Sequence, residues 1–270
     1  MMSHWTRNFP AYLQIGALRM QEAYMYRANI AVELAGLLLK VFLLKMVFVA
    51  VYAGRETVGG VALQEVITFV TLANLQGFLL FPMIAWYVRE RVREGQIALD
   101  LARPAPFLSQ LLAHQAGTTA SSLPFVVLAL PCAVLLGGIQ APQSPIAALL
   151  YVVSLGLGYL VAVMMGLIIG LIAFWTLEIG GVLTIYGFAN QFFGGALVPL
   201  WFFPPVLRRV AELLPFQAQT FIPLSLYTGQ LIGAQVVQAL AVQVFWFVAL
   251  SGFAWFLWQR AMHRVVIQGG

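Results

Sequence analysis

The 270-residue sequence predicts an all-α integral membrane protein. Six transmembrane helices are expected, with an N-terminal interfacial helix and outer re-entrant helices between spans 5 and 6. Three observations lead there. Hydrophobic residues make up 62% of the chain and charged ones 9%, with a mean hydropathy of +0.92; soluble domains carry roughly 25% charge. Apolar runs of about 20 residues, long enough to cross about 30 Å of hydrocarbon, recur along the chain. Segments of alternating polarity, the mark of a barrel, are absent.

Composition excludes other classes. The one cysteine, Cys132, lies in an apolar run, which leaves no disulfide framework and no Cys-rich metal site. The pI near 9.6 does not indicate nucleic acid, because the basic residues gather at span ends, where topology accounts for them. The opening "MMSHWTRNF" has no signal-peptide pattern.

Residues 1–28 precede the first span. Phe9, Tyr12, Leu13, Gly16, Ala17, Met20 and Tyr24 share a helical face, while Gln14, Arg19, Gln21 and Glu22 fall elsewhere. That pattern suits a helix lying in the inner interface; a plain solvated arm is the alternative. The six spans are read at about 30–53, 63–86, 108–137, 146–174, 180–200 and 236–258. They are separated by "AGRETVGG", a charged block at 87–106, "GGIQAPQSP", a tight turn near Glu178 and a long link at 201–235.

The first span carries Glu33, Lys40 and Lys45. Ionisable groups at such depth cost about 2.5–3.5 kcal/mol each on insertion scales. Lys40, nearer the midplane, either pairs with a carboxylate such as Glu65 or Glu178, or lines a pathway. Pro124 and Pro131 should bend the third span. His114 sits in it among Gln110, Gln115, Thr118, Thr119, Ser121 and Ser122, a patch that suits helix–helix contact better than a metal. Gly166 and Gly170, four apart in the fourth span, allow a neighbouring helix to approach closely. In the outer link, Pro204 and Pro205 suit a helix start and Pro215 a stop, with a second short helix at about 222–232. Neither is long enough to span.

Arginine placement gives the orientation. With both termini inside, the inner side holds Arg7, Arg19, Arg27, Arg89, Arg91, Arg93, Arg103, Arg260 and Arg264, against Arg55, Arg208 and Arg209 outside. The charged block is then cytoplasmic. Seven of the 23 charged residues fall between Arg89 and Arg103. A helix from about Trp86 to Ala102 is expected, bent at Gly95 and ended by Pro104. Ile97 and Leu101 form a small apolar face, with Glu94, Gln96, Asp100 and Arg103 around it. An apolar centre with a polar rim suits a partner's groove; a solvated loop that only enforces topology is the alternative.

Catalytic signatures are missing. No phosphate-binding G-x-x-x-x-G-K-[ST] loop occurs, no Ser/His/Asp constellation occupies a plausible site, and no metal site is expected.

Two stretches carry a resemblance. "REGQIALDLARPAP", through Gly95, Leu99, Leu101, Arg103 and Pro104, is similar to the cytoplasmic coupling segment of type-2 ABC exporter permeases. "GGALVPLWFFPPVLRRVAELLPF", through Gly194, Gly195, Pro199, Pro204, Pro215 and Phe216, resembles their fifth-span exit and outer re-entrant hairpin. Spans, interfacial helix and short tail extend the likeness over the whole chain, read as one permease domain, 1–270.

The resemblance implies a transporter half that exports drugs, natural products or other amphipathic compounds across a bacterial inner membrane. It implies pairing with a second permease, identical or related, and coupling to a cytoplasmic ATPase that carries ATP and Mg. This chain would hold no cofactor. Arg93, Glu94, Gly95, Gln96, Ile97, Leu99, Asp100, Leu101, Arg103 and Pro104 are then the coupling candidates. Lys40, Thr68, Asn74, Asn190 and Phe193, on spans 1, 2 and 5, are the pathway candidates. A stand-alone secondary transporter or channel would need paired repeats or an ion site, and no convincing repeat relates 30–137 to 146–258. A non-transporting scaffold is the other alternative.

Overall fold

Hydropathy decides where this chain folds into helices, and prolines and glycines decide where those helices stop. The structure, a computed structural model, describes residues 10–18, 21, 27–176 and 178–268. Among these, five helical segments are long and apolar enough to cross a membrane: Val32–Tyr52, Leu63–Arg93, Phe107–Leu136, Pro145–Thr176 and Ala234–Arg264.

Helix α1 covers 10–18. It rests on α6 (Phe107–Gly137), where a Cβ on Gly117 would lie 2.6 Å from the Gly16 Cα. Tyr12 is buried, whereas Leu13 and Leu18 are exposed. Phe9, Met20 and Tyr24 of the expected apolar face lie outside the described residues, as do Arg7 and Arg19. Helix α2 (Arg27–Tyr52) is the first span. A feature not expected follows it: strands β1 (Thr57–Val58) and β2 (Val61–Ala62) pair antiparallel across Gly59-Gly60. Both glycines have positive φ, +59° and +80°, as a two-residue hairpin turn requires.

The second span is not one continuous helix. Helix α3 (Leu63–Leu80) ends at Phe81, which is extended because Pro82 follows it, and α4 (Ile84–Arg93) restarts after the break. Gly95, at φ +70°, turns the chain into α5 (Ile97–Leu101). Helix α6 then runs to Gly138, a left-handed cap, and the Lys45 ammonium donates to the Leu136 carbonyl at its end. Helix α7 (Pro145–Thr176) is the hub and packs on α4, α10 (Phe221–Tyr227) and α11 (Ala234–Gln268).

The expected fifth span, 180–200, also stops early. Helix α8 (Gly180–Phe193) has 14 residues, about 21 Å at 1.5 Å per residue. Gly194-Gly195, with φ +79° at the second, breaks it. The chain then makes a 3-10 turn at Leu200–Phe202, helix α9 (Pro205–Glu212) and a second 3-10 turn at Pro215–Ala218. Helix α10 ends at Tyr227, short of the expected 232, because Gly229 takes a positive φ of +72°. Helix α11 runs past the expected end at 258, since neither Gly nor Pro interrupts Trp258–Gln268.

Two main apolar cores result. One joins α2, α3 and the C-terminal part of α6 to Leu200, Phe203, Ala211, Phe221 and Leu224. The other joins α4, Ile97, the start of α6, α7 and α11. The charged block sits on the second core.

Candidate functional site

The charged block is a folded unit. Pro82 leaves the Phe81 carbonyl and the Ile84 N–H without helical partners, and Gln115 of α6 satisfies both. Its Oε1 accepts from Ile84 N–H at 2.8 Å and its Nε2 donates to Phe81 O at 3.3 Å. Helix α4 then lies against α7 at the two glycines. A Cβ on Gly166 would lie 2.2 Å from Pro82 Cβ, and one on Gly170 3.1 Å from Ala85 Cα. The small-residue spacing in the fourth span therefore has α4 as its partner.

Charge pairing fixes α5 beneath α4. Asp100 is only 1% exposed. The Arg91 guanidinium donates to it through Nε and Nη2, at 2.5 and 2.7 Å, and also to Gln96 Oε1. Arg103 adds a looser contact at 3.4 Å. Gln110 donates to the Asp100 and Ala105 carbonyls, at 3.1 and 2.9 Å. A buried carboxylate needs such full pairing, because desolvating it alone costs several kcal/mol. Arg91 also covers the Tyr87 ring, which stacks on His114 with centroids 3.9 Å apart.

This packing sorts the coupling candidates. Ile97, 8% exposed, faces the core and Leu101 packs against it. The apolar face expected at the centre of a docking surface therefore points into the protein. Asp100 is internal as well, and Gln96 is half-buried. Outward stand Arg93, Glu94, Gly95, Leu99, Arg103 and Pro104, with Leu99 67% exposed at the tip.

A strut leaves the block on its other side. Arg89 of α4 donates to Glu178 Oε2 in the turn between α7 and α8. Glu178 Oε1 meanwhile accepts from the Ile179 and Gly180 N–H groups, at 3.1 and 3.0 Å, and so caps α8. The Arg89 hydrogen bond, helped by these backbone N–H groups, holds the Glu178 carboxyl down at about 2.

A family model described as "ABC-2 family transporter protein" matches residues 37–269. The chain belongs to that family. It is an ABC-2 type permease and a multi-pass membrane protein, not itself an enzyme, and the family implies an ATPase partner. The search of curated proteins found no match.

The pathway candidates of this ABC-2 permease do not converge. Thr68 and Asn74 are buried between helices; Thr68 Oγ accepts from Gln140 N–H at 3.1 Å, and Asn74 bonds back to Val70 O. Lys40 meets neither Glu65 nor Glu178. Its ammonium donates to Gln191 Oε1 of α8 at 2.8 Å, beside Asn190. Phe193 stacks on Phe216 at 6.2 Å.

The residues expected in an outer hairpin fall into two groups. Gly194 closes against the Asn190 and Phe216 carbonyls, Gly195 faces Leu200 and Phe221, and Pro199 opens the 3-10 turn. Pro204 caps α9 and Pro215 begins the turn that carries Phe216. That second turn enters the packed interior, where its carbonyls take donors from the spans. Gln243 Nε2 donates to Ala218 O at 2.7 Å, Gln76 Nε2 lies 3.5 and 3.4 Å from Gln219 O and Thr220 O, and Tyr186 donates to Gln219 Oε1 at 3.0 Å. Gly158 gives the turn room. Sequence reading missed Gln76 and Gln243. Their signal was an isolated amide in an apolar span, which marks a partner that hydrocarbon cannot supply.

Proposed function

We propose that this permease is the membrane half of an ATP-driven exporter for amphipathic or drug-like compounds. A separate cytoplasmic ATPase binds ATP and Mg and receives the ridge formed by Arg93, Glu94, Gly95, Leu99, Arg103 and Pro104. The observation that carries this reading is Leu99: a large apolar side chain, 67% exposed, on a block whose Ile97 and Leu101 are packed inward and whose Asp100 is paired. Ile97, Asp100 and Leu101 then hold the ridge in shape, and Gln96 ties Arg91 to it.

In this reading the chain crosses a bacterial inner membrane six times, with both termini inside. Helix α8 and the stretch to Phe203 complete the fifth crossing, and the 3-10 turn with α9 and α10 forms the outer re-entrant segment. Two permeases, identical or related, pair. When ATP draws the ATPase subunits together, the ridge moves with its groove. Helix α4 passes that motion to α7 through the glycine contacts and to α8 through Arg89 and Glu178. Lys40 and Asn190, on α2 and α8, border the path that changes exposure. ATP drives the cycle only through its different interaction with the two packings.

Copurification tests the reading. The permease purified from cells that make it natively should bring down a cytoplasmic ATPase in equal amount, and Leu99→Asp should abolish the association. Transport by the permease alone in lipid, with no nucleotide hydrolysed, would overturn it.

A further inference from the structure

The start of α3, the end of α10 and the loop between α6 and α7 border a partly open polar pocket of about 120 Å³. Glu65, Thr68, Gln140, Ala141, Gln143, Tyr227 and Thr228 line it. Its walls are tied together. Tyr227 Oη donates to Gln140 O at 2.8 Å, Gln143 N–H to Tyr227 O at 3.4 Å, and Gln140 N–H to Thr68 Oγ at 3.1 Å. The walls are therefore fixed relative to one another by their own hydrogen bonds.

Its charge is one-sided. Among the described residues, Glu65 is the only carboxylate in the wall. Gln230 donates to its Oε2 at 2.8 Å, and among the described residues no lysine, arginine or histidine forms an ion pair with it. Around it stand hydroxyl and amide groups; Tyr227 and Thr228 spend their hydroxyl protons on the Gln140 and Leu224 carbonyls, which leaves their oxygens as acceptors. One carboxylate is too few for a dedicated divalent-metal cage, which gathers several oxygen ligands and more charge. A primary ammonium has one positive charge, three donors and no acceptor, which matches the carboxylate and the acceptor oxygens of this wall.

We propose that the cavity binds a primary ammonium group, with Glu65 as its counter-ion. The group comes either from a free small amine or from the ethanolamine headgroup of a bilayer lipid. The site does not depend on how transport is powered.

Calorimetry on the intact permease in nanodiscs of phosphatidylcholine and phosphatidylglycerol tests this, with ethylammonium as the probe and ethanol as its neutral counterpart. Saturable binding of ethylammonium and none of ethanol is expected. Glu65→Gln keeps the shape and the Gln230 contact but removes the charge; Ala141→Phe keeps the charge but fills the space. Each should weaken binding at least tenfold. Adding phosphatidylethanolamine to the discs weakens the apparent affinity if the lipid headgroup occupies the site, and leaves it unchanged if free amines do. No saturable binding to the unaltered permease, equal binding of ethanol, or undiminished binding by Glu65→Gln would overturn the proposal.

Discussion

Asp100 shows how much one residue controls. It is almost fully buried, and Arg91 grips both of its oxygens. Removing one partner of a buried pair costs more than the pair itself contributes, because the remaining charge stays desolvated. Asp100→Asn should lower unfolding stability by about 3 kcal/mol, whereas Arg91→Met combined with Asp100→Leu should cost less; thermal melts in nanodiscs check both. Glu178 makes a contrasting case, because 59% of its side chain is exposed. Its carboxyl is held at about 2, below the ordinary 4.5. The sign follows from that direction. Its contribution is fully present above the ordinary value and is lost as pH falls toward about 2. The melting difference between the wild type and Glu178→Gln should be small at neutral pH, because exposed pairs are screened, and should vanish on acidification. A difference that grows with acid would contradict this account.

At the scale of elements, close approach and carbonyl capping hold the arrangement. Gly166→Ala places a Cβ 2.2 Å from Pro82 and should cost about 1–3 kcal/mol through overpacking. Gly156→Ala, with nothing within 4 Å, is the control and should leave the melt nearly unchanged. Gln243→Leu strips donors from the Ala218 and Ser154 carbonyls and should cost about 1–3 kcal/mol. Legibility in the sequence divides along the same line. The long spans were readable because twenty apolar residues have few other solutions. The break at Phe81–Met83 was hidden because Pro82 lies inside an apolar run. The early end of α8 had its cause in plain view, Gly194-Gly195, but hydrophobicity continued past it. Ile97 and Leu99 look alike in sequence, and only the packing of a five-residue helix decides which turns inward. Pairings such as Gln243 with Ala218 depend on which carbonyls the fold leaves uncapped, and that has no local signature.

For the whole molecule, the long apolar helices and the ABC-2 match establish a membrane permease. In the proposed function, work enters at the ridge beside Leu99 and leaves through α7 and α8. The most direct measurement places a single cysteine there, Leu99→Cys in a Cys132→Ser background, and follows it with two reagents. A membrane-impermeant maleimide added to intact cells should leave the thiol unmodified, and a short bifunctional crosslinker in inverted vesicles should join it to the ATPase. Labelling from outside the cell, or no crosslink to a copurifying ATPase, would contradict the account.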